Sequence, residues 1–268
     1  MNMTDFVTVV FEDELDSLKR QAQSLDLYAR DIGTIFVAVN EDSVLDQKIN
    51  TTWWGRWHNR VKIIPRHQFG HVWSENGWVS QQALKLLVSS VAHSEWSIVL
   101  DAKTFFVRSI PQIQTRPRVG QLEIYPVFEP SRQIVNQLFG INLEHQLGPG
   151  GVPFVINTNQ VQQMIDWIEK KTKQPFAKWF QDQGQLTEFL LYTGWIKYRT
   201  GSLNTIYNTD HVDMIPCNLC HSETGAFDRK FQEMQQSTTA SIHRRAWPNL
   251  TADQQMQYTN FLAQRGIK

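Results

Sequence analysis

The 268-residue chain has only two cysteines, too few for the disulfide framework of a small secreted protein. It also has no excess of charge of either sign, because 26 lysines and arginines balance 26 aspartates and glutamates. No basic block interrupts this balance, so the electrostatic signature of a nucleic-acid binder is missing. We therefore expect no nucleic acid among its partners.

Long apolar runs are missing as well. No stretch approaches the roughly 20 apolar residues that a membrane-spanning helix needs. The first 15 residues, MNMTDFVTVVFEDEL, lack the basic region and cleavage site of a secretory leader. These absences predict a soluble, cytoplasmic protein with no membrane span.

Apolar and aromatic residues make up 41% and 12% of the chain, enough to bury one sizeable core. One elaborated α/β domain is the predicted architecture. Most of the ten tryptophans are expected to pack in the core or at its rim. Trp53, Trp54 and Trp57 fall in a polar segment with a glycine, predicted to be a loop. For these three, that setting favours stacking against a sugar ring or a nucleobase, with packing as the alternative.

Strand-like and helix-like segments alternate before residue 105. Apolar, β-branched runs predict strands at 6–11, 34–40, 61–64 and 96–100. Apolar residues at helical spacing predict helices around 18–25 and at 81–91. Such alternation predicts a mixed, mostly parallel sheet with helices on both faces. Farther along, we predict an edge strand at 121–128, helices at 131–139 and 158–171, and a helical C-terminal part.

The segment 77–110 organises the rest of the chain. Its helix places Gln82, Lys85 and Ser89 on one side, away from the apolar positions that face a core. The strand after it, WSIVL, ends at Asp101. Ligands bind outside the carboxyl ends of the strands in open α/β sheets, so Asp101 is the first candidate functional residue.

This segment resembles the donor-site core of the GT-A nucleotide-sugar glycosyltransferases, and is similar to a bacterial group of such proteins. The resemblance rests on the order GWVSQQALKLL, then WSIVLDAK, then TFFVR. In the family the strand ends in Asp-x-Asp, whose carboxylates hold a divalent cation on the nucleotide diphosphate. Here the triplet is Asp101-Ala102-Lys103, so a lysine stands in the place of the second acid.

The resemblance implies a donor site built largely from the first half of the chain. It places the nucleoside beside the residues after the first strand, although the acids there also suit helix capping. The implied donor-binding residues are Phe11, Glu12, Asp13, Gln82, Lys85, Asp101, Lys103, Arg244 and Arg245. The implied ligands of Mn²⁺ or Mg²⁺ are Asp101 and His243.

An acceptor site is implied by a second, shorter match. The family carries a Ser-Glu-Tyr-x-x-Tyr-Gly segment, which Thr187, Glu188 and Tyr192 match, while Phe189 replaces a tyrosine. Glu188 and Tyr192 are four apart and share a helix face, where the carboxylate could act as general base on an acceptor hydroxyl. The alternative for a helical glutamate is a solvated surface position. A glycine-rich turn adds Gly150 and Gly151 to the expected acceptor side.

Lys103 leaves two outcomes open for the metal. Either Asp101 still holds a cation with fewer protein ligands, so that metal dependence is weakened, or Lys103, Lys85 and the arginines clamp the diphosphate without one.

The expected function is transfer of a sugar from a nucleoside-diphosphate sugar, a UDP-sugar above all, to a hydroxyl of a glycan or other acceptor. Residues 1–110 are expected to form the nucleotide-sugar half, and 111–268 the acceptor half with a C-terminal helix. A catalytically silent nucleotide-sugar or glycan binder is the first alternative.

The second alternative is a metal or redox module at Cys217-Asn-Leu-Cys220-His221. This spacing matches a haem attachment signature, and with His211 and Asp213 it could hold zinc. Two reduced thiols in a loop are the default expectation.

Overall fold

The computed structural model describes residues 3–41, 45–70, 73–148 and 151–268. Its strands are β1 (Thr4–Val10), β2 (Ile32–Val39), β3 (Val61–Pro65), β4 (Trp96–Asp101), β5 (Phe105–Phe106), β6 (Gln121–Glu123), β7 (His145–Leu147), β8 (Phe154–Asn157), β9 (Pro216–Leu219) and β10 (Thr239–Ile242). Its α-helices are α1 (Leu15–Tyr28), α2 (Leu45–Lys48), α3 (Gly77–Ser90), α4 (Glu129–Phe139), α5 (Thr158–Thr172), α6 (Phe176–Asp182), α7 (Glu188–Thr200), α8 (Phe227–Gln236) and α9 (Ala252–Ala263).

A five-stranded sheet in the order β3-β2-β1-β4-β8 forms the centre of the described structure. The first four strands are parallel, and β8 joins the edge antiparallel to β4. Every residue of β1 is buried, as expected for a strand covered on both faces. The predicted mixed, mostly parallel sheet is confirmed, and β4 delivers Asp101 to its carboxyl end beside Val9 of β1.

The C-terminal part folds back onto this sheet through a smaller one. Strands β5, β10 and β9 pair side by side, and helices α8 and α9 cover a second apolar cluster around them. Because β10 pairs with β5, which follows Asp101 by only a few residues, the chain leaving β10 reaches the carboxyl end of the central sheet. His243 to Arg245 lie on that exit.

Several predicted boundaries were wrong for local reasons. Helix α3 begins four residues early, at Gly77, because the Asn76 side chain caps it by accepting from the backbone N–H of Trp78. The predicted edge strand at 121–128 is only β6, since Pro126 begins a 3₁₀ turn that leads into α4.

The tryptophan segment, Thr51–Arg60, is 3₁₀-helical on both sides of a kink at Gly55 rather than a loop. Trp54 is fully buried, and its ring stacks on that of Trp53. Trp57 packs partly buried against the same core. Packing therefore accounts for these indoles. Within the described ranges, we find no helix with both the length and the apolar character that crossing a bilayer requires.

Helices α4 and α7 approach closely at Gly194. A Cβ built there would lie 2.2 Å from Cγ1 of the buried Val135 and 3.3 Å from the Phe139 ring. This contact lets α7 pack deeply enough to bring its first residue to the sheet.

We expect Gly194→Ala to lower the free energy of unfolding by about 1–3 kcal/mol, because the added methyl group overpacks this contact. Urea denaturation measures the change. Adding Val135→Ala should recover part of the loss, whereas Gly225→Ala, where a Cβ meets nothing within 4 Å, is the control. Equal effects of the two single substitutions would contradict the packing argument.

Candidate active site

Two acids and two lysines meet where β4, α3 and α7 converge. Lys85 Nζ lies 2.7 Å from Asp101 Oδ1 and donates a hydrogen bond of 2.9 Å to Glu188 Oε1. Lys103 Nζ donates to the other oxygen of Asp101, Oδ2, at 2.9 Å. The four side chains form one continuous chain of ion pairs, which we call the ion-pair chain.

Neighbouring elements fix the positions of these side chains. Gln21 of α1 donates to the backbone carbonyls of Asp101 and Thr104, at 2.7 and 3.1 Å, which holds the turn after β4. Ser131 of α4 accepts from the backbone N–H of Thr187 at 2.9 Å, which fixes the start of α7 and so of Glu188. The site is thus built by contacts between elements far apart in sequence.

Burial and pairing set the charges of the ion-pair chain. Lys85 and Glu188 are only 3% and 2% exposed. Burial alone would raise the pKa of Asp101, but the charges of Lys103 and Lys85 outweigh it and hold that pKa well below its usual range. Burial opposes the charge of Lys85 too, yet Asp101 and Glu188 raise its pKa above the ordinary value. Lys85 is therefore a permanent internal cation.

Glu188 differs from Asp101 because burial prevails over its partner. Burial raises the pKa of Glu188, and Lys85 offsets this only in part. The carboxamide of Gln82 faces the carboxylate of Glu188. In the orientation that places the amide nitrogen toward Glu188, its N–H groups donate to both carboxylate oxygens. The Phe189 ring lies 5.4 Å from Lys85 Nζ and closes the other side of the ammonium group.

Two cavities open at this end of the sheet, and the indole of Trp78 lines both. The first, which we call the carboxylate cavity, has a volume of about 180 Å³. Its lining includes Gln82, Lys85, Asp101, Phe128, Gln146, Gly151, Val152, Thr187, Glu188 and Phe189. The second, the arginine cavity, has a volume of about 470 Å³ and is lined by Phe11, Glu14, Asn76, Gly77, Gln81, Lys103, His243, Arg244 and Arg245. The pair between Asp101 and Lys103 connects the two.

The predicted donor-binding residues divide between these cavities. Phe11, Lys103, Arg244 and Arg245 line the arginine cavity, whereas Gln82, Lys85 and Asp101 line the carboxylate cavity. The remaining two, Glu12 and Asp13, are exposed in a 3₁₀ turn.

The acids of that 3₁₀ turn do not cap it with their side chains. Glu12 pairs with Lys48, and Asp13 pairs with Arg244. The pair with Arg244 links the chain after β1 to the chain after β10. The donor-binding roles of these residues remain predictions.

On the predicted acceptor side, Glu188 and Gly151 line the carboxylate cavity, and Gly150 lies outside the described residues. The expectation for Tyr192 was wrong. Its side chain is fully buried, and its hydroxyl accepts from the backbone N–H of Asn157 at 2.9 Å and bonds to the Tyr207 hydroxyl at 2.7 Å. Tyr192 ties α7 to β8 and has no surface left for an acceptor.

The residues do not fit the predicted divalent cation. Each oxygen of Asp101 already has an ammonium group, at 2.7 and 2.9 Å, and His243 lines the other cavity. The part of the chain that the structure describes contains no group of three His, Cys, Asp or Glu side chains arranged to hold a metal. Ion pairs with Lys85 and Lys103 thus occupy both oxygens of Asp101, and the ligand pair Asp101 and His243 stays a prediction.

The cysteine pair has the features of a structural element. Cys217 lies within β9 rather than in a loop, and both thiols are free. Cys217 bonds to the backbone carbonyl of Lys230, and burial raises the pKa of both thiols, which lowers their reactivity. The side chain of His221 lies outside the described part of the structure.

Several cavity residues carried no usable sequence signal. Gln146 lies in the three-residue strand β7 and Phe128 in a three-residue 3₁₀ turn, and elements this short show no periodicity that would distinguish the two from surface residues. Trp78 could have been found from the sequence, because it comes just after Asn76, a residue type that caps helices, and Gly77. A Cβ at Gly77 would lie 2.8 Å from the Phe11 ring, so a larger residue there would require that ring to shift.

Residues 4–246 match the family of unknown function DUF6492. The chain belongs to this family. No curated protein sequence matches this DUF6492 protein.

Among solved structures, it resembles the galactosyltransferase LgtC in complex with donor and acceptor sugar analogs. That match has 11% identity and a TM-score of 0.50, covering 97% of this chain and 96% of the other. A second LgtC structure, of an active-site mutant, gives 12% identity, a TM-score of 0.51 and the same coverage. This likeness confirms the predicted GT-A-like fold of the DUF6492 protein.

We expect Lys85→Met to lower the free energy of unfolding by about 3–5 kcal/mol, because it leaves the buried Glu188 carboxylate without its cation and the partly exposed Asp101 with Lys103 alone. Denaturant unfolding at neutral pH measures the loss. Lys178→Met, which breaks a surface pair with Asp182, should cost under about 1 kcal/mol and serves as the control. Adding Glu188→Gln to Lys85→Met should restore part of the stability. Equal effects of the two lysine substitutions would contradict the assigned charges.

Proposed function

We propose that this DUF6492 protein transfers a sugar from a nucleoside-diphosphate sugar, with UDP as the expected nucleotide, to a hydroxyl of a glycan or other acceptor. One observation carries the proposal. A cavity rich in cations and a cavity with a buried, basic carboxylate meet at Asp101 and Trp78, outside the carboxyl ends of the parallel strands. Sugar transfer needs these two environments side by side, and the LgtC structure with donor and acceptor sugar analogs has the same fold.

The arginine cavity would take the nucleotide diphosphate. Lys103, Arg244 and Arg245 supply positive charge, and guanidinium groups match phosphate oxygens with paired hydrogen bonds. Phe11 offers an aromatic face for the base. Cations placed where the leaving diphosphate gains charge stabilise the transition state, so this clamp performs the task that a divalent cation performs in Asp-x-Asp enzymes.

Lys103 would change partners when the donor binds. In the structure it pairs with Asp101, and both side chains are partly exposed, at 19% and 18%. A diphosphate in the arginine cavity competes for this ammonium group with two phosphate charges. Asp101 Oδ1 still lies 2.7 Å from Lys85 Nζ, so the negative charge of Asp101 remains partly neutralised when Lys103 turns away.

Glu188 would receive the proton of the acceptor hydroxyl. Its raised pKa makes it a stronger base than an exposed carboxylate, and it lines the cavity where the acceptor would lie. The acceptor oxygen forms the new bond to the anomeric carbon, and the bond from that carbon to the phosphate oxygen breaks. The diphosphate leaves with the electron pair.

Under this proposal, the predicted donor half (1–110) and acceptor half (111–268) do not separate completely. Residues 1–110 supply Phe11, Asp101 and Lys103 to the donor, and 111–268 supply Glu188 to the acceptor. Arg244 and Arg245 belong to the second half but serve the donor, because β10 returns them to the arginine cavity.

The test incubates the protein with a panel of nucleoside-diphosphate sugars and acceptor glycosides. We expect acceptor-dependent release of a nucleoside diphosphate, and a loss of at least about a hundredfold in Glu188→Gln, since a general base contributes roughly 10²–10⁴. The nucleotide should still raise the melting temperature of Glu188→Gln, which shows a folded donor site.

Glu95→Gln, at the exposed turn before β4 and the far end of that strand from Asp101, is the matched control and should keep full activity. Nucleotide binding without transfer to any acceptor would instead indicate a silent binder.

A further inference from the structure

Trp78 lies where the carboxylate cavity and the arginine cavity meet. It lines both cavities, and it is 44% exposed. Of these two cavities, Phe11 lines only the arginine cavity, whereas Phe128 and Phe189 line only the carboxylate cavity. The indole is therefore an exposed apolar surface that both environments share.

The start of α3, which carries this indole, is tied to its surroundings by hydrogen bonds. The side chain of Asn76 accepts from the backbone N–H of Trp78 at 3.2 Å. The side chain of Asn40, which follows β2, donates to the backbone carbonyl of Gly77 at 3.1 Å. Farther along, the same helix contributes Lys85 to the ion-pair chain. Trp78 thus lies on an element that is anchored both to the sheet and to the candidate site.

Gln81 adds a hydrogen-bonding group next to the indole. It follows Trp78 by three residues in α3, so the two side chains lie on the same side of the helix. Gln81 lines the arginine cavity, and its half-buried carboxamide makes no hydrogen bond within the described part of the chain. A carboxamide both donates and accepts, as the hydroxyl groups of a sugar do. We call Trp78 and Gln81 the platform.

The platform offers the two kinds of contact that a sugar ring requires. Hydroxyl groups surround the ring and need hydrogen-bonding partners, whereas the C–H groups on its face form an apolar surface. Covering that face with an exposed indole removes apolar surface from water on both partners. The neighbouring carboxamide can hydrogen-bond to a hydroxyl of the same ring.

The position of Trp78 indicates which part of the substrates the platform meets. Under the proposed function, the nucleotide diphosphate occupies the arginine cavity, and the acceptor hydroxyl lies beside Glu188 in the carboxylate cavity. The sugar being transferred lies between them, because its anomeric carbon exchanges the phosphate oxygen for the acceptor oxygen. This sugar is the part of the substrates that must contact both cavities, as Trp78 does.

We propose that the transferred sugar stacks the C–H face of its ring on the indole of Trp78 and hydrogen-bonds through a hydroxyl to the carboxamide of Gln81. This inference rests on the proposed function. It adds two sugar-binding residues to α3, where the sequence predicted only Gln82 and Lys85 as donor-binding residues.

The test measures binding by titration calorimetry without an acceptor. The ligands are UDP and whichever of UDP-glucose and UDP-galactose binds the wild type more tightly. Trp78→Ala should weaken binding of the UDP-sugar by at least about tenfold and binding of UDP by less than about twofold, since the sugar loses its apolar partner. Trp78→Phe, which keeps an aromatic face, should recover most of the loss. Gln81→Ala should weaken the UDP-sugar alone, by about threefold to tenfold.

The control is Tyr198→Ala, which removes an exposed aromatic side chain near the end of α7, far along that helix from Glu188. Both affinities should stay unchanged in this variant. Equal losses for UDP and the UDP-sugar in Trp78→Ala, or no loss for either, would overturn the inference while the UDP site stands. Selective loss of UDP-sugar binding, together with no transfer to any acceptor by the wild type, would support the platform and refute the proposed function.

Discussion

The ammonium group of Lys85, held between the carboxylates of Asp101 and Glu188, is the interaction on which the site depends. It joins α3 and the end of β4, which are neighbours along the chain, to the first residue of α7, which lies far from both in sequence. Removing the Lys85 ammonium group leaves the buried Glu188 carboxylate without its cation, which costs far more than a surface pair is worth. The three elements are therefore fixed relative to one another by charge as well as by packing.

Charge balance follows from this arrangement. With Lys85 shared between two acids, Asp101 needs a second cation on its other oxygen, and Lys103 supplies it. In the GT-A pattern that position belongs to an acid that helps to hold a metal. Lysine at position 103 gives the site positive charge from the chain itself, and this charge extends through Arg244 and Arg245 into the adjoining cavity.

The central sheet and Asp101 were predictable because β4 is an uninterrupted apolar run with an acid at its end. The pair between Lys85 and Glu188 was not, since no local pattern connects residues 103 positions apart. Tyr192 shows the limit of helical spacing. Tyr192 shares a helix face with Glu188, but helical spacing does not tell which residues that face contacts. In the structure the first half of α7 is buried on nearly all sides. The departure of Lys103 from an Asp-x-Asp pattern stays a prediction, and no sequence pattern indicated that its ammonium group lies 2.9 Å from Asp101 Oδ2.

The most direct test of this account is a calorimetric titration of nucleoside diphosphates into the wild-type protein and Lys103→Asp, each in EDTA and in Mn²⁺. The account predicts that the wild type binds one nucleotide with the same affinity in both solutions, and that Lys103→Asp binds it only in Mn²⁺. Wild-type binding that requires Mn²⁺, or no nucleotide binding at all, would contradict it.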